Sequence, residues 1–88
     1  MAKSQYPYLL DVRSREEWVN NHVEGSHHIP INELLGGKLP DIPKSTSIYT
    51  FCRSGNRSEV AREYLVKNGF TNAQNIKTLE QAQKMAQQ

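Results

Sequence analysis

Two short apolar runs, Tyr8-Leu9-Leu10-Asp11-Val12 and Ile48-Tyr49-Thr50-Phe51, each stop at a polar cluster, and each is followed by a helix signal. That alternation restricts the fold more than any other feature of the chain. Runs of four or five residues rich in β-branched and aromatic side chains read as buried strands. Strands separated by helices pair in parallel, and the helices then cover both faces of the sheet. The expected class is therefore α/β, with a mostly parallel central sheet. At 88 residues, the expectation is a single domain, residues 1–88, near the lower limit of what buries a self-sufficient core.

The helix signals are specific. Ser14-Arg15-Glu16-Glu17 has the form of a capping box and predicts a helix of about two turns ending near Asn20-Asn21, with Trp18 in the core. In the stretch from His22 to Pro30, Gly25 marks a turn and Pro30 ends a short extended piece. Ile31 to Leu35 makes one helical turn or slightly more before Gly36-Gly37, and Pro40 to Ser45 is a loop. From Ser58 onward, Val60, Ala61, Tyr64 and Leu65 recur at helical spacing, and Asn68-Gly69 supplies the stop. A short strand is expected around Ala73 to Asn75. A last helix opens at Thr78-Leu79-Glu80-Gln81 and carries Leu79, Ala82, Met85 and Ala86 as its apolar residues.

Composition excludes several functions. Eleven basic and nine acidic residues interleave to a net charge of +2 without forming a basic stripe, so no nucleic-acid partner is expected. No apolar stretch is long enough to cross a bilayer, and Met1-Ala2-Lys3-Ser4-Gln5 lacks an apolar signal core, so no membrane partner is expected. The single cysteine, Cys52, cannot form an internal disulfide, a Cys-x-x-Cys redox pair or a zinc knuckle. His22, His27 and His28 do not show paired metal-ligand spacing with it, so no metal is expected, and these histidines read as turn and core residues.

Cys52 stands where the second apolar run ends, and Arg53-Ser54-Gly55-Asn56-Arg57 leads from it into the helix beginning near Ser58. A thiol attacks only as thiolate, and its pKa falls beside cations and at helix N-termini, where unpaired backbone N–H groups gather. Both conditions meet here. Gly55 permits a tight turn that points several amides inward, and two arginines flank the sulfur. A merely structural cysteine at a strand end gains nothing from two guanidinium groups and a glycine within five residues. In an open parallel sheet, ligands bind beyond the carboxyl ends of the strands, where Cys52 lies.

Over nearly its whole length the chain resembles the rhodanese-like single-domain sulfurtransferases, within them most the small phage-shock-protein-E type. The resemblance is carried by Leu10-Asp11-Val12-Arg13, by Glu17, by His22-Val23-Glu24-Gly25-Ser26 with Ile29-Pro30, and by the loop Cys52-Arg53-Ser54-Gly55-Asn56-Arg57-Ser58. It implies a rhodanese-like three-layer sandwich and a thiosulfate sulfurtransferase that needs no cofactor. In that chemistry the Cys52 thiolate takes the sulfane sulfur of thiosulfate, sulfite leaves, and the persulfide passes its outer sulfur to cyanide, a small thiol or a protein thiol. The amides of Arg53, Ser54, Gly55, Asn56, Arg57 and Ser58 would hold the persulfide or the sulfonate oxygens. Arg57 is expected to brace the loop and Arg53 to draw in the dianion. Asp11 and Arg13 read as a supporting ion pair. The type it resembles is exported, which suggests a periplasmic location, although a cytoplasmic one fits the residues equally; a monomer is expected. One departure stands out. Many members carry Gly-Gly-x-x-x-Trp after the last strand, where this chain has Asn75-Ile76-Lys77-Thr78-Leu79-Glu80, leaving the shape of the pocket and the acceptor open.

Three other readings compete. A cysteine phosphatase loop usually places five residues between Cys and Arg so as to surround a tetrahedral phosphate, whereas Cys52 and Arg57 enclose four. A sulfur carrier or docking module would hold the persulfide for one protein partner. A redox sensor would need only the lowered Cys52 pKa.

Overall fold

The computed structural model describes residues 8–87; the amino-terminal stretch Met1 to Gln5 lies outside them. The elements follow the order β1 (Tyr8–Asp11), α1 (Arg15–Asn20), β2 (His27–His28), α2 (Ile31–Leu35), β3 (Ile48–Cys52), α3 (Asn56–Lys67), β4 (Ala73–Thr78) and α4 (Leu79–Ala86). All four strands pair in parallel in the order β2-β1-β3-β4. The chain runs from β1 to one side and returns to the other, so the switch in direction falls between β1 and β3. That is the position at which such sheets leave a crevice beyond their carboxyl ends.

Period-2 alternation divides the core between the two faces. Leu10 and Val12 from the first strand segment, with Ile48 and Cys52 of β3, join Ala61 and Leu65 of α3 and Leu34 of α2 on one face. On the other, Leu9 and Phe51 pack with Ala82 of α4, flanked by Leu79 and Met85. Leu10, Leu34, Ile48, Phe51 and Leu65 are fully buried, each contributing about 1.5–3 kcal/mol of transfer free energy. The class read from alternation, α/β with helices on both faces, is the observed one.

Helix boundaries follow local chemistry. Ser14 caps α1, its hydroxyl accepting from the Glu17 amide while the Glu17 carboxylate accepts from the Ser14 amide, which is the reciprocal capping box. Thr78 caps α4 by accepting from the Gln81 amide. At the end of α3, Gly69 takes φ 99° and the Phe70 amide donates back to the Leu65 carbonyl, closing the helix.

Four expectations fail in detail. Trp18 is half-buried rather than core, because the six residues of α1 bury no side chain; its ring stacks on those of His22 and His28, at centroid separations of 3.9 and 4.7 Å. None of the histidines enters the core either: His27 and His28 form the edge strand β2, and His22 is exposed beyond α1. The last strand also runs further than expected, through Thr78, and α3 starts two residues earlier, at Asn56.

A buried charge pair fixes the end of β1. Arg13 donates through Nε to Asp11 Oδ1 at 2.9 Å and through an NH2 group to Oδ2 at 2.7 Å, and the same NH2 reaches the Asn21 carbonyl at 2.6 Å. The Arg13 carbonyl in turn accepts from His28 Nε2 at 2.8 Å, so one arginine joins β1, the end of α1 and β2. Asp11 is fully buried and Arg13 is 6% exposed. Removing one member strands the other charge away from water, which costs about 3–5 kcal/mol. Asp11→Ala is expected to lose stability of that order in urea unfolding at neutral pH; a loss below about 1 kcal/mol would show that the pair does not hold this junction.

Candidate active site

The sulfur of Cys52 lies at the bottom of a turn whose backbone faces inward. Gly55 adopts φ 103°, a left-handed conformation that a side chain would strain, and this rotates its amide onto the sulfur at 3.1 Å. The Ser58 hydroxyl, from the first turn of α3, lies 3.4 Å from the sulfur. Burial pushes the thiol up, but the Ser58 hydroxyl and the Ser58, Gly55 and Ser54 amides outweigh it and bring the Cys52 pKa below its ordinary value. The flanking arginines are not the main cause. Cys52 is fully buried, so the cup is closed over the sulfur while its donors face it.

The predicted site residues divide into four groups. Cys52, Gly55 and Ser58 are buried and form the sulfur's contacts. Arg53, Ser54 and Asn56 are exposed on the rim. Arg57 is half-buried and turned to α1, where it donates to both oxygens of Glu17 at 2.7 and 3.1 Å. Arg57 thus ties the loop to the first helix. Asp11 and Arg13 sit one strand away as the pair already described.

A cleft of about 450 Å³ opens beside the loop. Arg13 and Glu17 from the first βα unit, Arg53 from the loop, and Thr78, Leu79 and Glu80 from the start of α4 line it. These come from the ends of β1, β3 and β4, at the switch in strand order. The stretch that replaces the glycine pair therefore forms one wall. Within it, pairing of Thr50 with Asn75 gives way to pairing of Phe51 with Lys77, so Ile76 is an extra residue in β4. Lys77 takes φ 76°, left-handed for a non-glycine residue, and its Cβ and Cγ would lie 3.3 Å from a Cβ placed on Gly55.

Two contributors escaped the sequence reading as site residues. Glu17 was visible as a cap, but its second role as the Arg57 partner spans 40 positions and leaves no local signature. Asn75 reads as an ordinary strand residue, yet its side chain meets Ser58, Gly55, Glu59 and the Lys77 backbone. Only its place at the start of the stretch that stands where many members have Gly-Gly-x-x-x-Trp hinted at more.

The Glu17–Arg57 pair has a measurable pH signature. Arg57 donating to both oxygens holds the Glu17 carboxyl down to about 2, aided by the Ser14 amide and hydroxyl and opposed by burial. A depressed carboxyl contributes stability above its unfolded value, near 4.5, and loses it as the pH falls through the folded one. Glu17→Gln is therefore expected to be less stable than the parent at neutral pH, with the deficit shrinking from about pH 4.5 and gone near pH 2. Urea unfolding across that range checks it; a deficit independent of pH would show that charge is not the cause.

Comparison with known proteins agrees with this geometry. The model of the rhodanese-like domain matches residues 1–79. The putative sulfur carrier protein YrkF of Bacillus subtilis is 37% identical over 68 residues, covering 77% of this chain and 36% of that protein. The thiosulfate sulfurtransferase PspE of Escherichia coli is 32% identical over 71 residues, covering 77% of this chain and 66% of that protein. A solved rhodanese-like domain protein from Staphylococcus aureus superimposes with a TM-score of 0.78 at 28% identity, over 92% of this chain and 78% of that one. Across eight curated relatives that it matches, the chain spans from 17% to 71% of their length. With its cysteine cup at the switch point of a parallel sheet, the chain belongs to the rhodanese-like sulfurtransferase family.

Proposed function

We propose that the chain is a thiosulfate sulfurtransferase that carries sulfane sulfur on Cys52 to cyanide or a thiol acceptor. The observation that supports this most directly is the convergence of the Gly55 amide and the Ser58 hydroxyl on a single sulfur. Donors aimed at one atom stabilise the negative charge that sulfur carries before attack and regains after transfer. In the first half-reaction, Cys52 Sγ bonds to the outer sulfur of thiosulfate. The donor S–S bond breaks and sulfite leaves with its electron pair. In the second, the acceptor bonds to that outer sulfur and Cys52 departs as thiolate.

Closure of the cup over the resting sulfur has a consequence for access. The exposed rim side chains of Arg53, Ser54 and Asn56 are the groups that turn aside for a donor to reach Sγ, while the Gly55 amide stays on the sulfur. Arg53 lines the neighbouring cleft and supplies a positive charge on the approach of a dianion. The cup closes on one atom rather than around a tetrahedral group, which favours sulfur over phosphoryl transfer.

The carrier reading has one observation in its favour, the 37% identity to a protein named as a putative sulfur carrier. Incubation with thiosulfate is expected to release sulfite and add about 32 mass units, one sulfur, to Cys52, with no gain in Cys52→Ser. Turnover with cyanide or a dithiol distinguishes catalysis from carriage. Mass gain without turnover selects the carrier, and no mass gain at all overturns sulfur transfer from thiosulfate.

A further inference from the structure

The Ser58 hydroxyl has one hydrogen and three neighbours that could take it. Asn75 Oδ1 lies at 2.7 Å, the Gly55 carbonyl at 3.1 Å and the Cys52 sulfur at 3.4 Å. The orientation of the Asn75 amide is settled by its other partners. Its Oδ1 accepts from the Lys77 amide at 2.8 Å, and its Nδ2 donates to the Gly55 carbonyl and to Glu59 Oε1, each at 3.2 Å. Oδ1 can only accept, so the close contact with Ser58 places the hydroxyl hydrogen on Asn75 and leaves an oxygen lone pair toward the sulfur. That arrangement suits a neutral thiol, which donates its S–H to Ser58. A thiolate requires the opposite: the hydrogen must swing from Asn75 to the sulfur.

We infer that Asn75 is a positioning residue that competes with the Cys52 sulfur for the Ser58 hydrogen, holding it while the sulfur is neutral and releasing it when the sulfur is charged. The Ser58 hydrogen stays bonded to its own oxygen and only rotates; the proton lost by Cys52 goes to water. The backbone explains why Asn75 is in place. It pairs with Thr50 immediately before the extra residue Ile76, which turns the strand so that the Lys77 amide comes back onto Oδ1. Thr50 in turn donates to the Ser58 carbonyl at 3.0 Å, fixing the first turn of α3 against the sheet.

This inference rests on Cys52 acting as a thiolate, and it makes a prediction whose sign separates competition from scaffolding. If Asn75 merely propped the cup, its removal would loosen the donors and raise the Cys52 pKa. Competition predicts the reverse. In Asn75→Ala the hydrogen is left to the Gly55 carbonyl and the sulfur; the charged sulfur is the stronger acceptor, so the pKa falls by up to about one unit, the scale on which a hydrogen bond to a charged group exceeds one to a neutral group. In the nearly isosteric Asn75→Asp, a carboxylate grips the hydrogen and adds a like charge, so the pKa rises by about one unit or more.

Other charges also face this region. Arg53 lies in the loop, Arg57 and Glu59 on α3, and Lys77 on β4. Beyond them are Glu17, held by Arg57, and the Asp11–Arg13 pair of β1. All are retained in both variants; Glu59 alone loses a donor, Asn75 Nδ2, and it stays held by the Arg62 guanidinium.

Rates of iodoacetamide alkylation of Cys52 between pH 5 and 10 give the pKa directly, whether or not sulfur is transferred, so failure here is distinct from failure of the thiosulfate mass gain. The expected result is a lower pKa in Asn75→Ala, a higher one in Asn75→Asp, and no effect of Asn75→Ala once Ser58→Ala has removed the hydroxyl. A pKa that rises in Asn75→Ala, or a fall that persists without Ser58, overturns the inference.

Discussion

An anion in a hydrocarbon core is unstable unless donors replace the water it has lost, and the fold answers that need at one atom. Cys52 belongs to the same buried cluster as Leu10, Val12, Ile48 and Leu65. Left there without partners, its thiol would stay protonated and inert. The left-handed turn at Gly55 changes this by rotating an amide onto the sulfur. The turn also serves as the N-cap of α3, so the positive end of a 12-residue helix faces the same point. A single backbone conformation thus links the end of a strand, the start of a helix and the charge state of a side chain.

The remainder of the site keeps that turn from relaxing. Arg57 would be free to swing into solvent were it not held by both oxygens of Glu17, and Glu17 is itself held in place by the capping box of α1. Helix α1 is short and buries nothing, so its own packing contributes little to its position. It is fixed instead by polar ties: Arg57 at its first turn, and Arg13 reaching the Asn21 carbonyl at its far end. A helix too small to be anchored by hydrophobic burial is thereby used as a strut between the first and third strands. Polar ties of this kind are directional, which suits a strut whose task is orientation.

How much of this could be read from the residues depends on sequence distance. The first and third strands, the Ser14 and Thr78 caps, the Asn68-Gly69 stop and the junction at Cys52 are all local, and each lies where the local chemistry places it. The misplacements came from tertiary competition. The size and apolarity of Trp18 point to the core, but a short helix gives it two imidazole rings to stack on instead. The arginines beside Cys52 suggested that guanidinium charge lowers its pKa, whereas Arg57 is spent on a partner 40 positions away and hydroxyl and amide donors do most of that work. Asn75 could not be found because its role arises from a bulge, and bulges have no fixed sequence signature.

That bulge also explains how the chain manages without the glycine pair. A backbone passing the active loop at close range must adopt an unusual conformation, and glycine is the residue that does so without strain. Here the extra residue Ile76 bends the strand and Lys77 takes the left-handed conformation itself, at a cost of about 1–2 kcal/mol. The strain has a return. Its amide is directed onto Asn75 Oδ1, its side-chain stem lies close to Gly55, and Thr78 follows at once as the cap of α4. A glycine at position 77 could reproduce the backbone path but would leave the outer side of Gly55 uncovered. The residues that replace the family's glycines therefore seal the loop from behind, and they bring Leu79 and Glu80 forward as a wall of the cleft beside it.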